Sequence, residues 1–173
     1  MTNTELKGLK TNRRLWKLVV LGILTLGIYP IVIYTRMARE LNRIVGGRDG
    51  KKTMHFCLIC FLFAPLTGGI VGMVWWHRFC NRVGRELERR GMPCKFDAGA
   101  FWGWKITGIL LFVGYIFGFV YAVYAALPVP QPELFWGLSG LMVLAWTLIG
   151  PLVFVGKLCG AMNMLCGDYN IRG

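Results

Sequence analysis

Carboxylates are scarce in this chain: 8 Asp and Glu stand against 20 Lys and Arg in 173 residues, and charged residues of either sign make up only 16% of the total. None of the acidic residues falls within an apolar stretch. That counts against ion-coupled transport, which usually needs an ionisable group at membrane depth. The parts of an enzyme are equally thin: there is no paired-carboxylate motif, no GxSxG, no HExxH and no glycine-rich phosphate loop, and Asp49, Asp97 and Asp168 stand isolated. The two histidines, His55 and His77, flank one apolar stretch, too far apart along a straight helix to share a metal. Cys57 and Cys60 have the spacing of half a zinc site, but no second CxxC completes it, so neither a metal nor a cofactor is expected. The six cysteines lack the spacing of a secreted disulfide framework and read as reduced thiols.

What the chain has in quantity is apolar surface. Hydrophobic residues make up 55% of it and aromatics 14%, above an ordinary soluble domain. Four apolar segments stand out, Leu15 to Tyr34, His55 to Trp76, Trp104 to Leu127 and Leu134 to Gly156, each near the roughly 20 residues that a membrane helix needs. The expectation is an all-α, polytopic integral membrane protein forming a single membrane domain over 1–173. Trp16, Trp75, Trp76, Trp102, Trp104 and Trp136 cluster toward segment ends, where indole rings favour the headgroup level. The first segment has no small-residue cleavage site behind it and reads as retained.

Sliding the sequence against itself brings out an internal repeat. At an offset of 42, LTLGIYPIVIYTRMARELNR from Leu24 lies over LTGGIVGMVWWHRFCNRVGR from Leu66, and a weaker third copy at an offset of 121 places Pro30 on Pro151, Arg36 on Lys157 and Asn42 on Asn163. The units fall at about 15–46, 57–90 and 136–167. Each reads as an apolar helix, a glycine or proline interruption, more apolar helix and a cationic exit. The interruptions are expected at Gly27 and Pro30, at Pro65 and Gly69, and at Gly150 and Pro151.

The blocks TLGIYPIVIYTRMARELN with the following RDG, RELERRG, FWGWKITG and IGPLVFVGKLCGAMNMLCGDYN, in this order, resemble the domain of unknown function 4234 family of bacterial membrane proteins. The second copy departs from the family's TLGIY by reading LTGGIVG. The resemblance implies a bacterial membrane protein and brings no catalytic or ligand residues with it.

Charge distribution leaves two topologies open. If all four segments cross, the basic connection from Arg36 to Thr53 lies opposite the equally basic one from His77 to Phe101, against the positive-inside rule. If the first two segments instead re-enter as hairpins broken at their glycines and prolines, both connections are cytoplasmic and only the last two segments cross. Both topologies put the two termini in the cytoplasm of a cell whose inner membrane the protein occupies.

Beyond the first break, Arg36, Arg39 and Arg43 form a basic stripe beside Met37, Leu41 and Ile44; beyond the second, Arg78, Arg82, Arg85 and Arg89 form one beside Phe79, Val83 and Leu87. Near an anionic leaflet each such cation is worth about 1 kcal/mol, so anionic lipid, with an acidic partner protein as the variant, is the expected contact, and nucleic acid is not. Gly114, Gly118, Ala122 and Ala126 recur every four residues as a flat packing stripe, toward another helix of this chain or toward a second copy. The expected role is non-enzymatic: a scaffold or a lipid- and partner-binding element presenting basic amphipathic helices at the cytoplasmic face. The rival is a small oligomeric channel or facilitator whose glycine and proline breaks line a pore.

Overall fold

The computed structural model describes residues 8–125 and 132–172. Among them the chain forms six helices and no strand: α1 Leu15–Leu24, α2 Ile28–Asp49, α3 Phe56–Leu66, α4 Ile70–Arg89, α5 Ala98–Tyr124 and α6 Pro132–Arg172. The chain divides into two compact units, one made of residues up to Gly99 together with those from Val155 onward, the other of Ala100–Phe154.

Two helices, α5 and α6, are long and apolar enough to cross a membrane. The first two apolar segments are each split in two. The first is shared between α1 and α2, and the second between α3 and α4. Both splits use the same turn. At the end of α1, Leu26 N–H donates to Ile23 O and Gly27 N–H to Gly22 O at 2.8 Å; at the end of α3, Gly69 N–H donates to Ala64 O at 2.8 Å. Leu26 and Gly27, like Gly68 and Gly69, take left-handed backbone angles, and that geometry stops a helix while satisfying its last carbonyls. A threonine then starts the next helix. Thr25 Oγ1 donates to Leu21 O and accepts from Tyr29 N–H; Thr67 Oγ1 donates to Phe63 O and accepts from Val71 N–H. The departure from TLGIY in the second copy therefore leaves the turn unchanged.

The prolines are not the breaks. Pro30 lies in the first turn of α2, where no intrahelical N–H is needed. Pro65 follows a π-helical turn, Ile59–Phe63, the wider spacing by which a helix absorbs a missing donor. At Gly150 and Pro151 the helix is not interrupted at all: α6 runs through both. At the offset of 121, Trp146 and Leu148 stand where Thr25 and Gly27 make the turn, and neither offers the hydroxyl or the left-handed freedom that the turn uses.

Each turn joins a helical hairpin. Across the first, an added Cβ on Gly22 would lie 3.1 Å from the Pro30 ring, and across the second Trp75 Nε1–H donates to Met54 O at 3.0 Å. The tips, Ile23, Leu24, Leu26 and Ile28 in one and Phe61, Leu62, Leu66 and Ile70 in the other, are apolar and exposed. The core of this unit lies beyond the tips. Met37, Ala38, Leu41, Ile44 and Val45 of α2, the positions 42 residues on in α4 (Phe79, Cys80, Val83, Glu86 and Leu87), and the positions 121 residues on in α6 (Leu158, Cys159, Met162, Leu165 and Cys166) are all buried. Their i, i+1, i+4, i+7, i+8 spacing turns one face of each helix inward. The apolar stripes of α2 and α4 are thus the interior of the unit, not its surface.

In the other unit, α5 meets the first half of α6 by setting aromatic rings into glycine notches. An added Cβ on Gly108 would lie 3.4 Å from Trp146, one on Gly140 3.2 Å from Tyr115, and one on Gly150 3.5 Å from Trp104. Phe119 meets Trp136 edge to face with centroids 5.2 Å apart. Of the small-residue stripe, Gly118 touches Trp136, Gly114 faces open space, Ala122 is half-buried, and Ala126 lies outside the described residues.

Candidate functional site

Away from the hairpin tips, the unit carries the charge. Arg82 is buried and uses all five of its guanidinium N–H groups. Nε and Nη2 grip the Asp49 carboxylate at 2.7 and 2.8 Å, while the remaining donors reach Asn42 Oδ1, Thr53 Oγ1 and Lys51 O. Its hydrogen bond is the main reason the Asp49 carboxyl lies below the usual carboxylate range. The positioning follows from local structure. Gly50, left-handed, ends α2, and the chain then turns back so that Thr53 exchanges two hydrogen bonds with the Asn42 side chain, at 2.8 and 2.9 Å.

A second ion-pair group closes the same end. Glu86, buried on α4, accepts from Arg48, Arg89 and Arg90, and Arg90 also pairs with Asp168 of α6. Burial alone would raise the Glu86 carboxyl, but the Arg89 and Arg90 guanidiniums outweigh it and hold it at about 2. On the far side, Arg13 pairs with Glu40. The α4 helix ends in a left-handed Gly91, with Met92 N–H donating to Leu87 O and Gly91 N–H to Glu88 O.

Of the seven arginines singled out from the sequence, Arg36, Arg39, Arg43, Arg78 and Arg85 are exposed and make no ion pair among the described residues. Arg82 and Arg89 differ: the first is enclosed by acceptors and the second shares Glu86. Asn42, Asp49 and Glu86 were not recognised as structural partners from the sequence. For Asn42 alone there was a signal, its place on Asn163 at the offset of 121.

The basic face is not flat. Between α4 and the connection after α2 runs a groove of about 830 Å³. Seven cations (Arg48, Lys51, Lys52, Arg78, Arg82, Arg85 and Arg89) and two carboxylates (Asp49 and Glu86) line it, and both carboxylates are already engaged by arginine. Apart from Thr53 its other lining is apolar, with Ile59, Val71, Val74 and Trp75 nearest the hairpin turn. A smaller hollow of about 390 Å³ beside it has Arg39, Arg43, Lys52 and His55 in its wall and no carboxylate. Among the described residues no group of three or more His, Cys, Asp or Glu is placed to hold a metal.

Fold and charge together define an all-helical protein with two membrane-length helices and a strongly basic face. The chain matches the family model of the Domain of unknown function (DUF4234) over residues 13–85, so the likeness read from the sequence blocks is borne out for that segment, which holds both hairpins and most of α4. The later blocks, from RELERRG onward, lie beyond it. No curated protein and no solved structure matches the chain.

Proposed function

We propose that this is a non-enzymatic protein of a bacterial inner membrane, a scaffold in which two helical hairpins dip into the bilayer from the cytoplasmic side, two long helices cross it, and the basic face holds the anionic leaflet. The observation that carries this reading is the polarity of the hairpins: exposed apolar tips at one end, and at the other the arginines and lysines of both basic connections. The 10 residues of α1 span about 15 Å, half of a hydrocarbon core of about 30 Å. Re-entry also puts both basic connections on one side, as the positive-inside rule favours.

Three related units, about 15–46, 57–90 and 136–167, fit the same reading, the third as an unbroken helix. The like positions buried in α2, α4 and α6 support this. The channel alternative draws less support, because Met37, Leu41, Phe79, Val83, Leu158 and Met162 fill the interior of the unit.

The test is thiol accessibility to a membrane-impermeant reagent, in intact and in lysed cells, at Lys51→Cys and Lys95→Cys separately. Cys57, Cys60 and Cys94 are replaced by Ser, while the buried Cys80, Cys159 and Cys166 are kept. Labelling of both positions only after lysis is the expected result. Labelling of one in intact cells and the other only after lysis would show a crossing between them and remove the hairpins.

A further inference from the structure

The groove between α4 and the connection after α2 combines two chemistries in a fixed order. Along α4, Val71 and Val74 come first, next to the hairpin turn, and Arg78, Arg85 and Arg89 follow at the other end. Arg78 and Arg85 are seven residues apart, so they lie on one face about 10 Å from each other along the helix. Lys51 and Lys52 form the facing wall, and Ile59 and Trp75 continue the apolar part. Trp75 is held by its hydrogen bond to Met54 O and by a stack on Phe79 with centroids 4.9 Å apart, so this part of the wall is fixed in place.

Four of the groove's seven cations form no ion pair among the described residues. Asp49 is taken by Arg82, with the Lys51 charge acting on it only at longer range, Glu86 is shared by Arg48, Arg89 and Arg90, and Arg78, Arg85, Lys51 and Lys52 form no ion pair among the described residues. Guanidinium and ammonium groups converging from two walls suit a phosphate oxygen cluster. An apolar trough leading from them toward an exposed apolar tip suits a hydrocarbon chain, because ligand sites combine a large apolar lining with a few placed polar groups. A soluble anion would use only the cationic half, and a neutral lipid only the apolar half.

We infer that this groove is a binding site for one anionic glycerophospholipid, its phosphate between Arg78, Arg85 and the Lys51–Lys52 wall and an acyl chain along Val74, Val71 and Ile59. The inference rests on the membrane reading above and sharpens it. A diffuse basic surface collects charge without stoichiometry, whereas the groove selects a single molecule that has both a phosphodiester and a chain.

Native mass spectrometry of the full-length protein in detergent, with dioleoyl phosphatidylglycerol and dioleoyl phosphatidylcholine as probes, tests it. The expected result is retention of one phosphatidylglycerol in preference to phosphatidylcholine, lost at least tenfold in Arg78→Gln/Arg85→Gln and within twofold of the parent in Arg36→Gln/Lys157→Gln. The second pair removes the same charge from exposed sites outside the groove, Arg36 and Lys157 being the repeat equivalents of Arg78. Lys51→Gln/Lys52→Gln, on the opposite wall, is expected to act like the first pair and tests the site independently of α4. Equal losses from the groove and control pairs would overturn the groove and leave the basic face standing. Displacement by inorganic phosphate at the concentration of the lipid would make it a site for free anions. Equal retention of both lipids would overturn the groove and the anionic-leaflet reading together.

Discussion

Asn163 holds the backbone of Arg13, 150 residues away in sequence, by the same exchange through which Asn42 holds Thr53: the side-chain oxygen accepts from the backbone N–H and the side-chain amide donates to the backbone carbonyl. In each case the residue held lies just ahead of a hairpin, Arg13 before α1 and Thr53 before α3. At the corresponding place in α4 there is no side chain. Gly84 instead lets the Phe96–Asp97 backbone come so close that an added Cβ would lie 2.2 Å from Phe96 O. Asn170 repeats the clamp one step outward, on Leu9. The last helix therefore grips the start of the chain much as α2 grips the lead-in to α3, and the unit closes on itself.

Removing this clamp has a local and a global signature. Asn163→Ala strips two backbone groups of their partners, each worth about 1–3 kcal/mol where burial is complete and less at a half-buried site such as this. Hydrogen exchange at residues 9–14 is expected to rise, with the thermal midpoint in detergent lowered. Each variant also takes an acceptor from an arginine, and Asn42→Ala should cost more because the Arg82 bond to Asn42 Oδ1 is shorter than the 3.2 Å bond from Arg13 Nη1 to Asn163 Oδ1. Equal destabilisation by the two would mean that the Arg82 contact adds no more than the Arg13 one.

Gly84 gives a sharper contrast. Gly84→Ala has to push the Phe96 carbonyl aside, an overpacking cost of about 1–3 kcal/mol or more where the obstacle is backbone. Gly27→Ala and Gly69→Ala meet open space but need a left-handed backbone at φ 87° and 88°, at about 1–2 kcal/mol. Leu26 occupies that conformation with a side chain that is 94% exposed. Leu26→Gly is therefore expected to be neutral or mildly stabilising, by less than about 1 kcal/mol, since relieved strain is partly offset by the entropy glycine gains on unfolding. Thermal midpoints of the four variants in one detergent decide the order, and a destabilised Leu26→Gly would contradict it.

Much of this was legible in the sequence. The spacing of Met37, Leu41 and Ile44, and of Phe79, Val83 and Leu87, marks faces that do turn one way, and buried positions of α2 fall on buried positions of α4 at the offset of 42. Spacing could not say what those faces meet. A stripe that suits a membrane surface also suits two sister stripes, and only the fold shows α2, α4 and α6 covering one another. Arg82 lies on the same stripe as Arg78 and Arg85, and nothing along α4 reveals that Asp49, 33 residues earlier, comes back to meet it. Length and composition likewise made the first two segments look like spans, because apolarity is blind to a threonine hydroxyl and a left-handed residue that end one helix and begin another. The prolines were overrated as breaks for the converse reason: their cost depends on whether an N–H is needed at that place.

Arg82 should tolerate no conservative replacement. Lysine offers three donors where the guanidinium offers five, and it cannot take the Asp49 carboxylate with two parallel bonds. Arg82→Lys is expected to cost about 2–4 kcal/mol, between the loss of charge-assisted hydrogen bonds and the breaking of a buried pair. Trypsin cleavage after Lys51 or Lys52 should become faster as the connection comes loose. An Arg82→Lys variant with parental stability and cleavage rate would show that the five-bond arrangement contributes little.

Glu86 makes stability depend on acid in a direction that can be fixed in advance. Its carboxyl lies at about 2 in the folded chain, below the roughly 4.3 of an unperturbed glutamate. The folded state therefore binds this proton less readily than the unfolded one, so the contribution is present in full above about pH 4.3 and is lost as pH falls toward 2. Chemical or thermal denaturation in detergent from pH 6 to pH 2.5 should show stability falling below about pH 4.5, and Glu86→Gln should start lower and lose less over the same interval. The variant also leaves Arg48, Arg89 and Arg90 facing one another across a neutral amide, so added salt should recover part of its deficit by screening their repulsion. A parental profile as flat as that of Glu86→Gln would mean that the three arginines gain nothing from the charge they surround.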